Sequence, residues 1–199
     1  MVDDKKDLCT FIIFVFLLPL ICSILTITFP ICQSGALNLI LYGIQGASPT
    51  LVAIATILIR KSRIQLIIFL KEKYVSNISI KYCMIGFVVP AIILTIGKLL
   101  INSTMNNDVF ITLPTYRKFI IILWALIAEE LGWGGYLQEK IEIVFGMCFT
   151  PLLVGMIWTF WHYHFFMIGS MDVPYMAFTY SCIVESYGSI SLQKSQKVT

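Results

Sequence analysis

Two histidines, His162 and His164, are all that the 199 residues contain, and only 13% of the chain is charged. Soluble domains carry about 25% charged residues, so this chain has too few to cover a water-facing surface. Its 58% hydrophobic content exceeds what one soluble core absorbs. The net charge is only +3, and no basic run is long enough to suggest a nucleic-acid face. No C-x-x-C spacing occurs among Cys9, Cys22, Cys32, Cys83, Cys148 and Cys182. Scattered mostly through apolar stretches, they read as small buried hydrophobes rather than a disulfide frame or metal knuckle. Internal repeats and low-complexity tracts are also missing. A cleavable signal peptide is not expected, because the first apolar run is longer than an h-region of about 7–15 residues and lacks a small-x-small site.

What is present is a succession of long apolar runs. A helix of about 20 residues crosses a ~30 Å hydrocarbon core. The expected fold is therefore all-α, a polytopic transmembrane bundle of five to six spanning helices forming one membrane-embedded domain over residues 1–199. The expected spans are 8–29, 36–59, 80–101, 118–138, 143–168 and a short 174–186, followed by a polar C-terminal tail, 187–199. Pro19, Pro90 and Pro151 are expected to kink or interrupt their helices. Residues 64–74 mix apolar positions with Lys71, Glu72 and Lys73, too short to span, and read as an interfacial helix. The next turn is expected at Glu139-Lys140-Ile141-Glu142.

Basic residues orient the chain. With a cytoplasmic N-terminus, eleven of the fourteen Lys and Arg lie on the inner side, and only Arg117 and Lys118 lie outside, with Lys98 inside a helix. That is a strong positive-inside bias. Integral placement in a bacterial plasma membrane, N-terminus in, is the expected localisation, with membrane lipid as a partner and no nucleic acid.

Against this background Glu129 and Glu130 stand out, near the middle of the fourth run. An acid at mid-bilayer depth costs about 2.5–3.5 kcal/mol on translocon-derived scales. On a regular helix the two point about 100° apart, with Glu129 on the face of Trp133 and Tyr136. The second polar centre is Trp158-Thr159-Phe160-Trp161-His162-Tyr163-His164 on the next run. Trp158 and His162 share a face, whereas His164 points nearly opposite. A carboxylate and an imidazole on neighbouring helices are half of a zinc site, which takes about three protein ligands plus water. Such a metal lowers the pKa of its water towards 7, and the second Glu could act as base or orient a ligand. The simpler alternative is a Glu–His hydrogen bond that locks two helices. Gly132, Gly134 and Gly135 are expected to let helices approach closely.

The segment Glu129-Glu130-Leu131-Gly132-Trp133-Gly134-Gly135-Tyr136-Leu137 resembles the first motif of the CPBP family of intramembrane proteases, which includes the CAAX prenyl proteases and bacterial Abi proteins. That motif is E-E-x-x-x-R, often E-E-x-x-W-R-G-Y. The Trp158 to His162 spacing resembles the second motif, and the likeness covers residues 117–168. It implies an all-α membrane bundle that cleaves peptides near the membrane surface. It also implies that Glu129 and His162 hold or activate the hydrolytic water through a divalent metal, zinc by donor type, with Glu130 supporting them. Two departures follow. Gly134 stands where the family has arginine, and no H-x-x-x-N motif follows His164, so the chain is expected to stop or leave the family frame before that helix. Glu185 could substitute as an acid, although its polar surroundings suggest the end of a helix.

The expected function is thus a metal-dependent intramembrane endopeptidase of the CPBP type with an incomplete site, at Glu129, Glu130 and His162. Its substrate would be a peptide or protein: a prenylated C-terminus, a leader peptide or a bacteriocin. The alternatives are a catalytically inactive member acting in membrane binding or bacteriocin immunity, and a proton- or cation-coupled transporter subunit. Against the last, no repeated halves are visible.

Overall fold

The computed structural model describes residues 2–74, 128–167 and 175–197, together with positions 116, 120, 123, 124 and 169. Every regular element among the described residues is helical, in agreement with the expected all-α class. The expected span 80–101 and most of 118–127 lie outside the described residues, as does Cys83.

Helix α1, Val2–Thr28, places Asp3 and Asp4 in its first turn, where the positive helix end favours carboxylates. Leu8, Phe11, Val15 and Cys22 form its buried stripe. From Ile13 to Ile27 the opposite face, including Phe14, Leu17, Leu20 and Ile24, is exposed and apolar. After a single turn at Pro30–Cys32, Gly35 takes φ +70, which a residue without Cβ accepts freely, and opens α2, Gly35–Arg60. The buried stripe of α2 includes Gln45, Ser48, Pro49, Val52, Ala53, Thr56 and Ile57. Its polar members are satisfied by partners such as Ser23, whose Oγ donates to Gln45 Oε1 at 3.3 Å.

α1 and α2 are long and apolar enough to cross a membrane, with mean hydropathy 2.9 over an 18-residue stretch of Asp3–Thr28 and 1.4 over one of Gly35–Arg60. Among the described residues no other helix passes that test. Helix α3, Arg63–Tyr74, is the short element expected between spans.

The second half differs from expectation in three places. First, the chain does not turn at residues 139–142. A π-helical segment, Leu131–Leu137, runs directly into α4, Gln138–Phe145. The turn comes later, at Gly146 with φ +80, and Thr150 Oγ1 donates to the Gly146 carbonyl at 2.9 Å. A positive φ at the residue after a helix is where glycine is favoured, and it stops the helix there. Second, Pro151 interrupts nothing. It occupies the first turn of α5, Thr150–Met167, where the missing N–H is no loss. Third, the expected short 174–186 segment and polar tail form one helix, α6, Tyr175–Lys197, packed against α5.

The core collects Phe11 and Val15 of α1, Val52 and Ala53 of α2, Trp133, Tyr136 and Leu137, Ile141, and Val154, Trp161 and Phe165 of α5. Cys22, Cys32 and Cys182 are buried thiols, as expected. Cys9 and Cys148 are exposed, so the buried-hydrophobe reading fails for those two.

Candidate functional site

Glu129 and Glu130 sit in the last helical turn before the π segment. In that segment the Gln138 N–H bonds to the Trp133 carbonyl, five residues back, which widens the coil and shifts the faces counted on a regular helix. Two packing contacts hold the segment in place. Gly132 lies directly on the Pro49 backbone of α2. Trp133 stacks edge-on against Trp161 of α5, centroids 5.4 Å apart, and against Phe11 of α1 at 6.1 Å. Trp161 is fixed in turn by its indole N–H, which donates to the buried Ser48 Oγ at 3.1 Å.

This packing brings the two polar centres together through Trp158. Its indole N–H donates to Glu129 Oε2 at 3.4 Å, a long bond. Trp133 turns a second indole N–H towards the same carboxylate without reaching hydrogen-bond geometry. The Trp158 ring also meets His162 edge-on at 5.7 Å, and the Trp158 carbonyl lies 3.0 Å from His162 Nδ1. A carbonyl only accepts, so Nδ1 carries the proton and Nε2 keeps its lone pair. His162 is packed between Trp161 and Phe178, each centroid 4.7 Å away. No hydrogen bond or ion pair joins Glu129 to His162 among the described residues; each contacts Trp158. The simple Glu–His lock is therefore not what the helices use.

Glu129 and His162 would supply two of the about three protein ligands that a zinc site takes. Among the described residues no three His, Cys, Asp or Glu side chains lie close enough to hold one ion. His164 has Nδ1 against the Trp161 carbonyl and Nε2 buried without a partner among the described residues.

Glu130 lies beside a small cavity of about 20 Å³, together with Trp133, Gly134, Gln138, Trp158 and Glu185. That is room for one water molecule. The helix-end reading of Glu185 from its polar neighbours thus gives way: α6 carries it to the same cavity as Glu130. The signal that would have located it was the phase of α6, which its mixed composition hides. The Trp158 and Trp133 indoles were visible as packing residues only, since nothing in their spacing marks a donor aimed at an acid. Gly134 opens onto the cavity where the family motif would place a guanidinium.

Comparison with protein-family models, with curated proteins and with solved structures gave no match.

Proposed function

We propose that this chain is an integral membrane protein of the CPBP protease type, with five to six spans, and that its chemistry is hydrolysis of a membrane-proximal peptide bond. The observation that carries this reading is that Glu129 and His162 both contact Trp158, the acid at its indole N–H and the imidazole at its ring and backbone carbonyl. The exposed apolar face of α1 supports membrane embedding, because in lipid it needs no cover. The acid pair and the E-E-x-x-W-x-G-Y pattern support the family assignment.

Within this reading, Glu129 and His162 Nε2 are the two proton acceptors beside Trp158. Trp158 orients both, one through its ring N–H and the other through its carbonyl. Glu130 borders the cavity that admits one water. The acid accepts the water's proton as the water attacks the peptide carbonyl, and the proton then passes to the leaving amine. Proton transfer of this kind contributes about 10²–10⁴ in rate. The substrate is a leader peptide, a bacteriocin or a prenylated C-terminus.

The test is hydrolysis of fluorogenic peptides of these three kinds by protein reconstituted in liposomes. Glu129→Gln and His162→Ala are each expected to lower the rate at least about 10²-fold. A wild-type rate equal to that of Glu129→Gln would overturn the reading. Gly134→Arg is expected to raise the rate, since a guanidinium there faces Glu130 and Glu185 with opposite charge. An unchanged rate would show that charge at this cavity does not limit hydrolysis.

A second reading has one observation in its favour. The lack of three metal-binding side chains among the described residues, with Gly134 in place of arginine, suits a member that keeps the fold for binding or bacteriocin immunity. It is supported if no peptide is cleaved while the intact protein still protects cells against a bacteriocin.

A further inference from the structure

Where the apolar runs of α1 and α2 end, a cleft of about 320 Å³ opens beside α3 and α4. That is within the size range of small-ligand pockets. Its floor is apolar and aromatic, from Ile57, Phe69 and Tyr136, and its rim carries both signs of charge. Most of those charges are already engaged. Asp7 is held by Arg60 and Lys140, and Lys140 also binds Asp4 at 2.8 Å. Lys61 is the exception. Among the described residues its one charge contact is Asp7 at 3.7 Å, beyond hydrogen-bond reach, and its side chain is 36% exposed. Gln65, four residues on, lines the same cleft. On the α4 side, Glu139 uses Oε2 for Lys73 at 3.1 Å and is 55% exposed.

The surroundings indicate what reaches this cleft. Ile64, Ile67 and Ile68 of α3 are exposed at the same level, so α3 presents apolar side chains where the spanning runs stop. A ligand arriving there comes from the lipid headgroup layer. The lining holds more carboxylates, Asp7, Glu72 and Glu139, than ammonium groups, Lys61 and Lys140. A headgroup that carries an ammonium beside its phosphate can use Glu139 as well as Lys61, which a purely anionic one cannot. A choline headgroup has no N–H to donate to Glu139.

We propose that the cleft binds the headgroup of a zwitterionic phospholipid bearing a primary ammonium. Its phosphate sits on Lys61 and Gln65, its ammonium on Glu139, and its acyl chains lie over Ile68 and Phe69. The site rests on membrane embedding of α1 and α2, not on the hydrolytic reading.

The experiment is native mass spectrometry of the detergent-purified full chain after exposure to vesicles of phosphatidylethanolamine, phosphatidylcholine or phosphatidylglycerol with identical acyl chains. The ethanolamine lipid is expected to be retained about tenfold over the choline lipid, as for loss of one charge-assisted contact. Lys61→Gln and Glu139→Gln are each expected to reduce that retention about tenfold. Lys71→Gln, on α3 but outside the cleft, is expected to leave it unchanged. Circular dichroism of each variant separates lost binding from lost folding, and either cleft variant suffices if the other misfolds. Equal retention of the three lipids, preference for the glycerol headgroup, or undiminished retention by a folded cleft variant would overturn the proposal. Competition by free phosphoethanolamine would show that the headgroup alone is recognised. Its failure, with the variant effects intact, would assign the site to the whole lipid. Release of the chain from membranes by alkaline carbonate would instead sink the embedding on which both readings depend.

Discussion

Gly132→Ala is expected to destabilise the protein by about 3 kcal/mol, the upper end of the cost of overpacking a core. A Cβ at this position would overlap the Pro49 carbonyl of α2, 2.6 Å from its oxygen. The obstacle is backbone inside a helix, so no rotamer change relieves it. Relief requires the π segment to move away from α2, which would also loosen Ser48 from Trp161 and Trp133 from Trp161. Gly135→Ala, three residues on in the same segment, is the control. There the new Cβ finds Leu131 and Phe69 at an ordinary 3.5 Å, and the change is expected to stay within about 1 kcal/mol. Unfolding in detergent, followed by helical circular dichroism against rising SDS, measures both. Equal midpoints for Gly132→Ala and wild type would mean that α2 and the π segment are not in contact at Pro49.

This contact also marks the limit of what the sequence made legible. Close approach at the glycine cluster was readable, because small residues beside aromatics in an apolar run have few other uses. Which glycine makes the contact was not, since that depends on a partner helix about 80 residues away. The C-terminal end of α1 and both ends of α2 were readable, because Pro30, Gly35 and Arg60 bound the apolar runs. By contrast, α1 begins at Val2 and carries Asp7 inside the helix, ahead of the run expected from residue 8. The π segment was invisible. Its sequence has no local signature, and the widened coil is imposed by Gly132 on Pro49 and Trp133 on Trp161. The charge-rich 139–142 stretch looked like a turn because its partners could not be seen. Lys140 is tied to Asp4 and Asp7 from the far end of the chain, which makes a continuing helix affordable there. The same holds for the site. Glu129, Glu130 and His162 announced themselves by their cost in an apolar run, whereas Glu185 needed the phase of α6.

Asp7→Asn is expected to cost about 3 kcal/mol, the lower end for breaking a buried ion pair by removing one partner. The Asp7 side chain is 2% exposed and joins three elements: it bonds Arg60 at the end of α2 and lies 3.3 Å from Lys140 Nζ on α4, with Lys61 at 3.7 Å. Asparagine preserves the shape but leaves these cations unbalanced. Lys140, 13% exposed, suffers most, and its remaining bond to Asp4 keeps the cost from rising further. Burial alone would depress the Lys140 ammonium, but Asp4 and Asp7 outweigh it and hold its pKa above the usual lysine value. A raised folded pKa means that this contribution is fully present below the ordinary lysine pKa. It is lost only as pH rises through the folded value, so the network is intact throughout the neutral range. Asp4→Asn, at a more exposed carboxylate, is expected to cost less than about 1 kcal/mol. Asp7→Asn combined with Lys140→Met is expected to recover part of the loss, because the double variant no longer buries an unpaired ammonium. The same detergent unfolding assay reads all three variants. Strict additivity in the double variant would mean that Asp7 and Lys140 do not interact. Recovery would establish that the acid tail of α1 is what anchors α4, and through α4 the π segment that carries Trp133 to Glu129.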